Sequence, residues 1–408
     1  MTKRSSYGAP ATLVGLAFLL PVLQNANAQE WRFEPEIRVG GEYDDNARLR
    51  ANEAEIFEID GYILEGSAGF AYETQRSLFR ITPTLRSRVY DEEIDVDSDD
   101  QFLNLAWTHE TIKSQFALRG DYSRESARTA ERADADIGEE DPDEIPTDET
   151  GVVFNNERRE RFRILPQWRY EFTERMSFET AFAYTDTSYE DTPLSPLRDY
   201  TDSRVTIGLG RQFTPRTRGY IGATARRFEN EVGRDVDGVG ARIGFESEIS
   251  QTTRFKAEVG YEDSDQDGAV EDADPEFVGD IYLVRNLETI TMLAQYRRDV
   301  TAGGSGRLAA KDSINLSLRK RFTERVSGGL GVRAYQTSGL GDEAVTFEER
   351  DYTQFYAEFG VALSRAFSLQ ADYRYSHLDQ SETIGEEGSA DSNSIILWLV
   401  YRPTAISL

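Results

Sequence analysis

Not one of the 408 residues is cysteine, which excludes a disulfide scaffold, a thiol nucleophile and a lipid-modified N-terminal cysteine. Histidine is nearly as scarce, with His109 and His377 alone. Hydrolytic chemistry built on a histidine beside Ser or paired Asp therefore has only two places to start. There is no Gly-x-Ser-x-Gly elbow, zinc-ligand cluster or phosphate loop in the sequence. Positive charge is short: 46 Lys and Arg stand against 74 Asp and Glu, a formal charge of −28. Such a surface disfavours nucleic acid and anionic membrane surfaces, and suits divalent cations. Beyond the N-terminus no stretch reaches the ~20 apolar residues that a membrane-spanning helix needs.

The N-terminus itself carries Lys3 and Arg4, an apolar run from Ala11 to Leu23, and Ala26-Asn27-Ala28. That is the order of a secretory signal peptide over residues 1–28, cleaved before Gln29. An N-terminal anchor is the competing reading, but the run is short and ends in a small-x-small site. Loss of Lys3 and Arg4 leaves 44 basic against 74 acidic residues, or −30.

Residues 29–408 are dominated by a period of two. Trp31, Phe33, Pro35, Ile37, Val39, Gly41 and Tyr43 alternate with Arg32, Glu34, Glu36, Arg38, Gly40 and Glu42. One face is apolar and the other charged, as in a strand between water and an apolar phase. The pattern returns at Phe79–Val89, Phe116–Tyr122, Phe162–Tyr170, Phe255–Tyr261, Phe355–Val361, Leu369–Tyr375 and Ile395–Tyr401, among others. Two regions are less clear: Gly219–Phe228, where either face could be the apolar one, and Phe277–Tyr296.

Connections alternate in length. About eight are short and mostly pair Thr or Ser with Arg or Lys, such as "YETQRS", "FTERMS" and "FTERVS". Between them lie acidic stretches at 44–58, 91–100, 124–158, 186–203, 229–238, 262–276, 298–312, 336–350 and 377–392. The alternation predicts an all-β fold: a transmembrane antiparallel β-barrel of about eighteen strands, with short periplasmic turns and long acidic extracellular loops. Closure is required because lipid offers no partner to an edge strand. A soluble sandwich or propeller would instead need its apolar faces packed together. Pro35, Pro83 and Pro166 fall inside strands and predict bulges there. Trp31, Trp107 and Trp168 fit an aromatic girdle at the short-turn end, whereas parity turns Trp398 inward.

The inward positions carry Arg38, Arg80, Arg86, Arg88, Arg119, Arg163, Arg169, Arg204, Arg242, Arg319, Arg333 and Arg374. Glu36, Glu65, Asp121, Glu179, Glu258, Glu358 and Asp372 share those faces. One reading is a salt-bridged ladder that stiffens the wall. The other is a charged conduit, since rings of Arg select anions in pores, and a basic wall suits an anionic oligomer.

Parity and turns place His109 at the short-turn end and His377 at the long-loop end, so they share no site. His377 with Asp379 or Asp372 is the sole conceivable pair, and a solvated rim histidine explains it. No enzyme is read. "DSDQDGAVEDAD", Asp263 to Asp274, has the spacing of a calcium-binding EF-hand loop. "AEVGYE" before it is a strand, so the flanking helices of that sensor are missing. Weak calcium binding through Asp263, Asp265, Asp267 and Asp274 stays open beside a plain solvated acidic loop; no other cofactor is expected.

"FEPEIRVGGEYDDNARL", the "FTERMSFETAFAYTDTSYED" and "RFTERVSGGLGVRAY" hairpins and the closing "SIILWLVYRP" resemble the β-barrel porin type 2 family over nearly the whole chain after the signal peptide. The resemblance implies a role in exopolysaccharide secretion, or an outer-membrane pore of unknown substrate. It brings no catalytic motif, and this chain departs from the usual barrel ending by running past Tyr401 without a final Phe. Together these readings predict a monomer, rather than a trimer, in the outer membrane of a Gram-negative bacterium. Its partners would be membrane lipid, lipopolysaccharide and polysaccharide export machinery, and not nucleic acid. A general diffusion porin and a structural or adhesive barrel with a plugged lumen are the alternatives.

Overall fold

A computed structural model describes residues 30–50, 56–90, 97–127, 130, 157–190, 197–231, 235–266, 275–340, 349–380 and 388–407. Its strands begin with β1 (Glu30–Asp44), β2 (Ile59–Glu73), β3 (Ser77–Tyr90), β4 (Ser98–Glu110), β5 (Ser114–Ser126) and β6 (Arg158–Thr173). They continue through β7 (Met176–Tyr189), β8 (Tyr200–Thr214), β9 (Thr217–Asn230), β10 (Val236–Ser250), β11 (Thr253–Gln266) and β12 (Glu276–Asn286). The last are β13 (Ile290–Ala302), β14 (Leu308–Arg321), β15 (Val326–Gly339), β16 (Arg350–Ala362), β17 (Phe367–Gln380) and β18 (Gly388–Tyr401). A two-residue continuation, β19 (Ile406–Ser407), also pairs with β1.

Each strand is antiparallel to its chain neighbours, and β18 returns to β1 through Ile37–Asp44 against Ser394–Tyr401. The result is a closed eighteen-strand barrel, as the alternation predicts. Its outer face is apolar: Leu64, Leu85, Leu330 and Leu397 are each more than half exposed, with no protein over them. The short turns share one device. The Thr74, Thr173 and Thr323 hydroxyls accept from the backbone N–H of Ser77, Met176 and Val326 at 2.9, 3.0 and 3.0 Å. Ser364 does the same for Phe367 at 3.1 Å. A side-chain oxygen that satisfies a turn amide explains why Thr or Ser recurs there.

Aromatic residues band both ends of the outer face. At the short-turn end Trp31 meets Tyr72 at 4.5 Å between ring centroids, Trp107 meets Phe116 at 5.0 Å, and Phe367 meets Tyr401 at 4.8 Å. At the long-loop end the band is tyrosine. The Tyr296, Tyr373 and Tyr375 hydroxyls donate to Asp312, Asn393 and Asp391 at 2.6, 2.8 and 2.5 Å. An apolar ring with a polar tip suits a boundary between oil and water.

Two expectations need correction. The strands are longer than the roughly 9–11 residues that cross a membrane: β1 has 15 residues and β6 has 16. They consume much of the predicted loops, and 298–312 is a hairpin with its turn at 303–307. Pro83 and Pro166 do not make bulges. Register is unchanged on both sides of Pro83 and Pro166, although the ladder drops two residue pairs opposite each. Pro35 pairs regularly with Ala68 on β2, but on the β18–β19 side it has no partner and the register shifts by one residue between Ile37–Tyr401 and Phe33–Ile406, the irregularity expected there. A missing donor is absorbed by a local gap because neighbouring pairs hold the strand in place.

At the long-loop end two segments turn inward. The β13–β14 hairpin lies against the β8–β9 side of the wall, four to five strands away: Arg198 N–H donates to Gly304 O at 2.9 Å, and Asn230 Nδ2 to Gly306 O at 2.6 Å. Beneath it Tyr200, Phe228, Val236, Val278, Val300 and Leu308 form one buried apolar cluster. The β1–β2 connection likewise buries Leu49 against Tyr335, Tyr352, Leu378 and Ala390. Leu49 sits at φ 48°, a left-handed conformation that this packing and the bond from its N–H to Asn46 O at 3.0 Å hold in place.

Candidate channel interior

Inward positions are the ones that alternate with the exposed apolar ring. The structure places all twelve arginines named from the sequence there. On the β1–β4 wall Arg86 Nε donates to Glu65 at 2.6 Å, and Arg38 reaches the same carboxylate at 3.4 Å. Arg38 also lies over the Trp398 ring at 4.3 Å, and Trp398 Nε1 donates to Asp372 at 2.9 Å. Arg88 donates to Asp100 at 2.9 Å and sits 3.7 Å from Glu42; Arg80 lies 3.8 Å from Glu34. Farther round, Arg163 donates to Asp121 and Arg169 to Glu179, both at 2.7 Å. Arg319 lies 3.2 Å from Glu358. Arg119, Arg333 and Arg374 face inward on β5, β15 and β17, and each is engaged.

The wall is therefore built of paired charges. Half-buried pairs of this kind contribute little net stability one by one, but a shared network fixes side-chain positions. The pairing is uneven. From β14 to β17 the inward residues include Lys311, Arg319, Arg333, Arg350 and Arg374, with Glu358 and Asp372 as the carboxylates of those strands' inward faces.

The densest cluster joins strands that are not neighbours. Arg204 on β8 lies 3.3 Å from Asp299 on β13, and Arg242 on β10 lies 3.1 Å from it. Arg204 and Arg226 also donate to Val300 O, at 3.2 and 2.9 Å. Arg226 grips both oxygens of Asp202, at 2.8 and 2.9 Å, and reaches Glu262 at 3.3 Å. Sequence reading missed Arg226 and Asp299. The first lies in the stretch with two possible faces, and the second in a presumed loop. It also missed Arg159 and Arg161, which share the parity of Arg163 but lie before the apolar alternation begins. Arg159 is buried and donates to Glu125 at 2.7 Å.

No protein-family model matches the chain, and no curated protein matches it in sequence. Among solved structures it is similar to OccAB4 of Acinetobacter baumannii, at 11% identity over 94% of this chain and 99% of that one, with a TM-score of 0.45. OpdO of Pseudomonas aeruginosa is similar at 10% identity over 93% and 98%, with a TM-score of 0.45. DcaP of Acinetobacter baumannii, an outer membrane channel, is similar at 9% identity over 92% and 97%, with a TM-score of 0.43. The barrel itself rests on the strand order and register of this chain.

The remaining candidates lie elsewhere. Asp263 and Asp265 sit on the outward face of β11, exposed and in extended backbone; Asp267 and Asp274 lie outside the described residues. Among the described residues no group of three or more His, Cys, Asp or Glu could hold a metal ion. The two histidines lie at opposite ends. His109 Nδ1 is 2.6 Å from Ser77 Oγ near a short turn. His377 stands on the outer rim, its ring nitrogens 2.8 Å from Asp391 and 3.3 Å from Asp379, whereas Asp372 faces inward to Trp398.

Proposed function

We propose that the protein is a porin-like channel of a Gram-negative outer membrane that conducts anionic, hydroxyl-rich solutes. Export of an anionic exopolysaccharide is the fuller form of this reading, and the resemblance of the strand and hairpin motifs supports it. The observation that carries the proposal is the closed barrel with lipid-compatible leucines outside and guanidinium groups from many of its strands on the inner wall. Arginine supplies forked donors that match carboxylate and phosphate oxygens, and pairing within the wall lets each contact stay weak. A polymer crosses by exchanging many such contacts. In this reading the protein works as a monomer, with lipopolysaccharide around it, export machinery below and calcium as a weak ligand of the 263–274 stretch.

Single-channel recording of the refolded barrel tests the reading. Anion selectivity and block by an anionic oligosaccharide, but not by a neutral one of equal length, are expected. Cation selectivity would refute it. The two inward-turned segments favour a second reading, a surface barrel with a filled lumen, and its signature is silence under every condition.

A further inference from the structure

The channel reading leaves open why arginines from β8 and β10 converge on a carboxylate carried by the base of the β13–β14 hairpin, while Arg226 on β9 between them holds the adjacent Val300 O. Asp299 does not hold a neighbour in the sheet; β13 is three strands from β10 and five from β8. It holds the base of the β13–β14 hairpin across the interior. Its side chain and those of Arg204 and Arg242 remain about one-fifth exposed, so solutes in the lumen reach them.

The charges that meet here are Arg204, Arg226 and Arg242, with Lys256 and Arg297 at their edge, against Asp202, Glu258, Glu262, Asp280 and Asp299. Five face five. Among the described residues of this cluster, loss of the Asp299 carboxylate would leave positive charges in excess by one, at the place where two guanidiniums point. Among the described residues no acceptor lies within hydrogen-bond reach of the buried Arg204 Nε. The hairpin above is built to bend: Gly306, at φ 70°, lies where a Cβ would strike Arg198 Cβ, and Gly303 N–H closes the turn on Arg307 O at 2.9 Å.

We propose that Arg204 and Arg242 form a binding seat for the carboxylate or other oxyanion of a passing solute, and that Asp299 occupies this seat as a tethered competitor that latches the β13–β14 hairpin over the lumen. The proposal deepens the channel reading and rests on it for its substrate class. An incoming anion takes the two arginines, the Asp299 carboxylate leaves, and the hairpin loses its ion pairs to the far wall. A tethered ligand is displaced when the solute presents several anionic groups at once, because the local concentration of the tether is then matched. A neutral sugar has nothing to offer the guanidiniums.

The test uses the full chain with Gly304→Cys, in which the new thiol is the only one. Its labelling rate by a maleimide reports release of the hairpin, and bilayer current is recorded in parallel at constant ionic strength. Oligogalacturonate is the anionic probe and maltohexaose the neutral control. Oligogalacturonate is expected to raise labelling and open time, and maltohexaose to leave both unchanged. Asp299→Asn is expected to raise both without any sugar, on the order of tenfold, the worth of a charge-assisted bond. Asp299→Glu restores the latch, which separates release from misfolding. Arg242→Gln also frees the hairpin but weakens the response to the anion. If Asp299→Asn labels at the parent rate and oligogalacturonate changes nothing, the proposal falls, whatever the current. If labelling responds but no variant conducts, the seat and latch stand and the channel reading falls.

Discussion

Arg226 shows how a charge survives inside the wall. It is 4% exposed, yet it meets both oxygens of Asp202, a Glu262 oxygen and Val300 O. Its planar fork satisfies several acceptors at once, which a lysine cannot do. Arg226→Ala leaves Asp202 and Glu262 without that partner and is expected to cost about 3–5 kcal/mol. Arg226→Lys keeps the charge and is expected to cost less. The urea midpoint of the heat-modifiable band on gels measures both. A second residue-scale feature concerns Gly331 on β15, whose missing side chain leaves room for the Tyr356 ring to lie flat on the wall; any Cβ there would fall inside that ring. Gly331→Leu is expected to swing the ring into the lumen and lower stability by about 1–3 kcal/mol. An unchanged midpoint would show that Tyr356 already stands free.

At the scale of the element, each strand is two strips read by two solvents. Leu85 on β3 pairs with Gly66, between Tyr62 in the upper tyrosine band and Tyr72 in the lower aromatic band, so it lies near mid-membrane. Leu85→Arg is expected to destabilise the barrel by ~2–4 kcal/mol, and Tyr62→Arg, at the boundary, by only ~0–1. Equal costs would mean that the outer face does not meet lipid. This contrast of solvents is also what made the strands legible in the sequence. Alternation such as Phe79, Ile81, Leu85 against Arg80, Thr82, Arg86 needs only local information. It fails where both faces meet water. Asp299 and Lys311 were read as loop because β13 and β14 rise past the lipid, and no apolar strip marks them there. It fails again where both faces are apolar, as in Val278, Tyr282 and Val284 inward of Ile281 and Leu283 on β12. The pairing of Asp299 with Arg204 was beyond reading for another reason. Ninety-five residues separate them, and only the curvature of the closed sheet brings them together.

For the whole molecule, net charge and wall charge point in opposite directions. The chain as a whole is strongly acidic, but its β14–β17 sector is basic. In the channel reading proposed above, an anion would be received by that side of the interior. Replacing Arg319, Arg333 and Arg374 by Gln together is expected to move selectivity toward cations, measured as the reversal potential across a salt gradient. The shift should shrink as ionic strength rises, because the Debye length falls from about 10 Å at 0.1 M to 3 Å at 1 M. A reversal potential that ignores all three substitutions would move the selective site to the other walls.

The seam strand β18 has apolar residues on both sides, with Ile395, Leu397 and Leu399 outward and Ile396, Trp398 and Val400 packed inward with Ile63. Once zipped to β1 it is the closure of the barrel. Before that, "SIILWLVY" is eight residues without charge or proline and with high β-propensity, the composition that self-associates into cross-β aggregates. A chain that has not yet closed thus carries a solubility hazard in its seam strand. A fast-forming upstream sheet would shorten the time for which this strand stands open before it seals the wall.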